Sequence, residues 1–164
     1  MRILGIDPGL DITGYGIIED SKDPPRIIEA GVIRTSYKDH LIKRLNIIYT
    51  QITDIIGQTR PQICVVEELY SHYKHPMTAI LMGHARGVVL FCCSQKNIEV
   101  VSYPAKTVKR SVAGNGNASK LQVQRVVAKL LNIKSCAGPV DITDALALGL
   151  THLRHSANIE VAKL

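Results

Sequence analysis

Ile3-Leu4-Gly5-Ile6-Asp7-Pro8-Gly9 opens the chain with four small or apolar residues that run into an aspartate and a Pro-Gly turn. The run reads as a short buried strand that the Asp7-Pro8-Gly9 turn ends. Gly14 to Ile18 and Arg26 to Arg34 are two more strand-like runs, joined by the loop Asp20-Ser21-Lys22-Asp23-Pro24-Pro25. Three neighbouring strands with short connections predict an antiparallel meander. The period then changes. Apolar residues at 41, 45, 48, 52, 55 and 56 predict a helix, with Gly57 as its stop. Ile63 to Val66 predicts a strand, Met77 to Cys93 a long, largely buried helix, and Ile98 to Val101 a strand. Leu121 to Leu131 and Ile142 to Leu153 predict helices. A meander followed by helix–strand alternation implies an α/β domain on a mixed sheet. Residues 1–157 are expected to form one domain and 158–164 a short tail.

The chain has 164 residues, 46% of them hydrophobic, enough to bury a core in one domain. Aromatics are 4%, with one Phe and no Trp, so that core is aliphatic. The apolar content excludes a disordered chain. No uncharged apolar run reaches the roughly 20 residues of a membrane span, since His84 and Arg86 interrupt Met77 to Cys93. Asp7 and Pro8 sit where a signal peptide needs an apolar stretch, which predicts a cytoplasmic protein. Cys64, Cys92, Cys93 and Cys136 form no CxxC pair and read as reduced thiols.

Twenty basic and 14 acidic residues leave a formal charge of +6, unevenly spread. Between Val100 and Val140 there is no Asp or Glu, while Lys106, Lys109, Arg110, Lys120, Arg125, Lys129 and Lys134 all fall there. A one-sign segment of this length points to a polyanion, most simply nucleic acid. Gly114-Asn115-Gly116-Asn117 is a turn able to offer backbone N–H groups to a phosphate. Ser119-Lys120-Leu121-Gln122 follows it as a capping box that starts a helix.

The acids fall at the ends of predicted elements. Asp7 ends the first strand, Glu67 and Glu68 end the fourth, and Asp141 and Asp144 lie three apart on one face of the last helix. Taken singly, each is explained as a turn residue, a solvated strand end or a helix cap. Functional sites in open α/β sheets collect at the carboxyl ends of strands. Acids from three segments gathered there would need cations to neutralise them, and hard oxygen donors suit Mg²⁺ or Mn²⁺. A pair of such ions is a known arrangement for displacement at phosphorus.

The ordered set of motifs resembles the RuvC family of Holliday-junction resolvases over nearly the whole chain. Ile3 to Gly9 with Thr13-Gly14-Tyr15-Gly16 is similar to the family's opening. Val66-Glu67-Glu68 and Gly83-His84-Ala85-Arg86-Gly87-Val88 are similar to its second motif and the helix after it. Tyr103 to Lys109, Gly114-Asn115-Gly116 and Lys120 to Val123 resemble its basic region, and Asp141 to Ala147 with Thr151-His152 its last motif.

The resemblance implies a ribonuclease H-like fold with a five-stranded mixed sheet. It implies a homodimeric endonuclease that nicks two opposing strands of a four-way DNA junction, leaving 5′-phosphate and 3′-hydroxyl ends. Asp7, Glu67, Asp141 and Asp144 take the places of the catalytic acids. They would hold two Mg²⁺ ions per subunit, with Mn²⁺ as substitute. Lys109 and Lys120 take the places of phosphate-contacting lysines, and Gly114 and Gly116 shape the turn between them. Tyr70 takes that of an aromatic near the crossover, with Tyr73 close by and His72 and His75 in the same segment. RuvA and RuvB, the branch-migration proteins, are implied as partners. Counting back from Gly83 selects Glu68 and counting forward along the strand selects Glu67; the apolar pair Val65-Val66 favours Glu67.

Three other readings compete. Gly5 to Gly9 also resembles the phosphate loop of actin-like kinases, but those need a second domain for which this chain is too short. A ribonuclease H-like nuclease acting on RNA–DNA hybrid or folded RNA would carry the same acids. A non-catalytic junction-binding module would not need all four.

Overall fold

The computed structural model describes the chain except residues 22–23, 70–75, 134–138 and 162–164. Three strands open it: β1 (Arg2–Asp7), β2 (Ile12–Glu19) and β3 (Arg26–Arg34). They form the expected antiparallel meander, with Gly5 opposite Gly16 and Tyr15 opposite Gly31. Helix α1 (Leu41–Thr59) leads to β4 (Ile63–Glu67), and α2 (Pro76–Gln95) leads to β5 (Glu99–Tyr103). Both strands run parallel to β1, so the sheet order is β3-β2-β1-β4-β5. Helices α3 (Ala105–Ala113), α4 (Lys120–Leu130) and α5 (Val140–Val161) complete the described elements.

The alternation along β1 sorts the two cores. Leu4 and Ile6 face α1 and α2, packing with Ile48, Ile52, Val89 and Cys93. Ile3 faces the other way, into a core with Val65, Val108, Val127 and Leu148. Side chains alternate along a strand, so Gly5 and Asp7 share the face of Ile3. In β4, Val65 belongs to the same core, while Cys64 and Val66 belong to the opposite one. The same parity puts Glu67 on the face of Asp7 and sends Glu68 to the other side.

Helix α5 lies against the sheet on that face, beneath α3 and α4, and is buried nearly all round from Ala145 to His152. Its close approach depends on missing side chains. A Cβ on Gly5 would overlap the carbonyl of Ala145, and one on Gly14 would overlap that of Asp141.

Several boundaries differ from the sequence reading. Gly57 does not stop α1, because the buried Ile52, Ile55 and Ile56 hold the helix through that position. The helix runs to Thr59, and Arg60 closes it in the left-handed region (φ 48°) with its N–H on the Ile56 carbonyl. Helix α3 was not anticipated. It is short, Pro104 precedes it, only Val108 and Val112 anchor it, and Gly114 (φ 74°) ends it. Helix α5 continues past Leu153 into the stretch expected to be tail. Helix α2 is long and apolar enough for a membrane span by length and composition, yet it is the helix that packs Ala85, Val89, Cys92 and Cys93 into the core.

Candidate active site

The carboxyl ends of β1 and β4 lie side by side, since Ile6 pairs with Val66 and the next residues are Asp7 and Glu67. The N-terminal part of α5 brings Asp144 over them. These three acids line a cleft of about 300 Å³, closed on the far side by Lys109 of α3 and Lys120 of α4. Lys120 Nζ stands 3.4 Å from Asp144 Oδ2. Glu68 is exposed and does not line the cleft.

Crowding makes these acids hard to ionise. Asp7 is pushed up to about 7, first by burial and then by the charges of Asp144, Glu67 and Asp141. Glu67 and Asp144 are also raised, chiefly by burial, and the two lysines oppose the shift in both. Lys120 is raised in turn, mainly by Asp144. Such a set favours a concentrated positive charge between the acids, and its donors are all oxygens, the type Mg²⁺ and Mn²⁺ prefer. Among the described residues no three acids already close on a single point. The carboxylates ring a space rather than touch, as like charges do. The donor chemistry therefore fits hard divalent ions.

Asp141 sits one turn before Asp144, beside Gly14, and does not line the cleft itself. Its charge still reaches Asp7 and Asp144.

The turn after Asp7 is anchored from behind. Thr13 Oγ1 donates to the Gly9 carbonyl at 2.7 Å and Thr35 Oγ1 to the Leu10 carbonyl at 2.6 Å. The buried Arg44 of α1 donates to Thr35 Oγ1 at 2.8 Å and pairs with Asp11. Sequence reading missed Arg44; an arginine among the apolar positions of an amphipathic helix was the available signal.

The capping box at Ser119 forms as expected, with Ser119 Oγ accepting from Gln122 N–H and Gln122 Oε1 from Ser119 N–H. The preceding turn is more self-contained than expected. Gly114 N–H donates to the Arg110 carbonyl, Asn117 N–H to Asn115 Oδ1, and Ala118 N–H to the Asn115 carbonyl. Those three N–H groups are taken within the turn. Gly116 is set against the Lys106 carbonyl, where a Cβ would lie at 3.2 Å. Tyr70, Tyr73, His72 and His75 lie outside the described residues.

A mixed sheet in the order β3-β2-β1-β4-β5, with acids at the ends of its two central strands and on the crossing helix, defines a nuclease of the ribonuclease H-like fold. The family model for crossover junction endodeoxyribonuclease RuvC matches residues 3–152. A RuvC from Caldicellulosiruptor saccharolyticus is 39% identical over 97% of this chain and 96% of its own. The Thermus thermophilus RuvC structure superposes with a TM-score of 0.88 at 30% identity, covering 96% of each chain. The same bacterium's RuvC in complex with Holliday junction substrate superposes at 0.90, covering 95% and 94%. The chain belongs to the RuvC family of crossover junction endodeoxyribonucleases.

Proposed function

We propose that this protein resolves four-way DNA junctions by divalent-metal-assisted hydrolysis, placing paired nicks in opposing strands. The observation that carries the reading is the convergence of Asp7, Glu67 and Asp144 in one cleft with Lys109 and Lys120 across from them. Asp7, Glu67 and Asp144 would hold the Mg²⁺ ions, two per subunit, with Asp141 one turn before Asp144 as a further ligand. When bound, such ions supply an activated water for attack at phosphorus and stabilise the leaving 3′ oxygen. Lys109 and Lys120 hold the backbone phosphates beside the cleft, and Lys120 also tempers the charge of Asp144. Ends with 5′-phosphate and 3′-hydroxyl follow from this polarity. Because the substrate is DNA, we place the protein in the cytoplasm.

A junction has near two-fold symmetry, which a C₂ dimer matches. Helix α2 supports this: Met77, Ile80, His84, Gly87 and Phe91 follow one another at three- and four-residue spacing, all exposed. Met77 is 65% exposed, Ile80 51% and Phe91 54%. This outward apolar stripe is the face we assign to a second copy. Ala85 is turned into the core, and Gly87 lies on the stripe.

The test is a labelled synthetic four-way junction incubated with Mg²⁺, with linear duplex and RNA–DNA hybrid as controls. Paired symmetric nicks confined to the junction are expected. Asp7→Asn is expected to bind the junction and not cut it. Cleavage of the hybrid in place of the junction, or near wild-type cleavage by Asp7→Asn, overturns the assignment.

A further inference from the structure

The main chain that carries Glu67 is held from behind. Pairing between β1 and β4 ends at Ile6–Val66, so the Glu67 peptide lies past the last rung on that side. On the other side the β5 ladder continues, with Glu68 N–H donating to the Tyr103 carbonyl at 3.0 Å. The Glu67 carbonyl accepts from Nε of Arg86 at 3.3 Å, and a terminal nitrogen of the same guanidinium donates to Ser102 Oγ at 2.9 Å. Arg86 comes from the middle of α2, one residue after the fully buried Ala85. Ser102 is the register partner of Val66, whose side chain points into the core beneath α1 and α2. By strand parity Ser102 faces that way too, away from the cleft.

We propose that Arg86 is a positioning residue for Glu67: its guanidinium spans the ends of β4 and β5 and sets the strand terminus from which the carboxylate reaches the cleft. The proposal rests on the reading of Glu67 as a metal ligand. Three elements meet at one planar group with two fixed donor directions. A lysine ammonium presents its three donors from one point and cannot span both acceptors in that geometry. Position is what a ligand set needs, since displacements near 1 Å cost on the order of 100-fold in rate. The location also explains a mid-helix charge in an otherwise apolar α2. Arg86 approaches from the face opposite the cleft, so its effect should fall on metal and rate, with DNA affinity unmoved.

Arg86→Lys and Ser102→Ala test this beside Glu67→Gln, using the full chain. Three quantities are read: Mn²⁺ affinity by calorimetry without DNA, junction affinity without metal, and single-turnover cleavage at saturating junction across a Mg²⁺ series. For Arg86→Lys we expect Mn²⁺ binding weakened about 10-fold, cleavage slowed about 10- to 100-fold and partly restored by high Mg²⁺, and junction affinity within about twofold of wild type. Ser102→Ala, which frees one arm of the guanidinium, should shift the same quantities by a few-fold in the same direction. Wild-type Mn²⁺ affinity in both variants overturns the proposal. So does a loss of junction affinity with an unchanged saturated rate, which would make Arg86 a DNA contact. Should the wild type bind Mn²⁺ through Glu67 but leave junctions uncut, the functional reading fails, and the calorimetry still decides the role of Arg86.

Discussion

Gly5 of β1 lies against the Ala145 carbonyl of α5, with no room for a Cβ between them. The residue just before Ala145 is thereby fixed over the strand: Asp144 lines the same cleft as Asp7, which lies two residues beyond Gly5 at the end of β1. Helix and strand approach at this point because the strand lacks a side chain there.

Gly5→Ala should therefore act on stability and chemistry together. The added methyl meets backbone, which cannot rotate away, so α5 must lift. A loss of about 2–3 kcal/mol is expected in urea unfolding. In the folded fraction, cleavage should fall far more than junction affinity, because Asp144 moves and the lysines of α3 and α4 remain on the surface. An unchanged midpoint would mean that α5 does not seat on β1.

Asp7 makes the metal-free fold pH-sensitive. Burial and the charges of Asp144, Glu67 and Asp141 push its carboxyl from 3.8 up to about 7. The folded state thus binds this proton more tightly than the unfolded state does. The resulting stability is full below about pH 4 and is lost as pH rises through about 7. A change of that size corresponds to about 4 kcal/mol at most, and relaxation of the site brings the expectation to about 2 kcal/mol. Asp7→Asn removes the penalty. Without divalent ions it should be more stable than wild type at pH 8 by about 2 kcal/mol, with a flatter profile between pH 4 and 7. Denaturant melts at pH 5 and pH 8 check both points, and a less stable Asp7→Asn at pH 8 would contradict the crowding of the acids.

Lys109 and Lys120 should report themselves through salt. Each phosphate contact contributes about 0.9 to the slope of log affinity against log salt on duplex DNA. Lys109→Ala and Lys120→Ala should each weaken junction binding and flatten that slope by about one contact. Lys120→Ala also removes the cation beside Asp144, so it should retain some effect at high salt. Filter-binding or anisotropy series at several salt concentrations measure this, and parallel slopes would remove the lysines from the DNA interface.

The stripe on α2 yields a solution measurement. Ile80→Glu and Phe91→Glu place charge on exposed positions, so helix content should be preserved by circular dichroism. Sedimentation equilibrium at micromolar concentration should show a dimer for wild type and a monomer for either variant. Two dimeric variants would assign the seam elsewhere.

The first 34 residues were readable as a meander because alternation and turn residues are local properties. The same alternation decides between the adjacent glutamates: Val65 and Glu67 share one face of β4, and register alone turns Glu68 away. Helix α3 escaped because two buried valines in nine residues make no periodic signal. Gly57 misled because a glycine breaks a helix only weakly when three well-packed isoleucines, Ile52, Ile55 and Ile56, hold it to the sheet. Sequence did not show that the Gly114 and Asn117 N–H groups of the glycine turn are bonded to Arg110 and Asn115, because such bonds depend on the folded turn.

Residue type and spacing alone determined the sheet-forming runs, the acids at strand ends, the basic segment and the family. Each of these follows from side-chain chemistry or from a period of two or near four. Only the tertiary structure decided that Asp144 lines the cleft while Asp141 stands beside Gly14, that Lys120 pairs with Asp144, and that Arg86 reaches the Glu67 carbonyl from behind the sheet. Those contacts join residues far apart in the chain, and they depend on how closely a helix may approach a strand, a distance set by packing that no local pattern encodes.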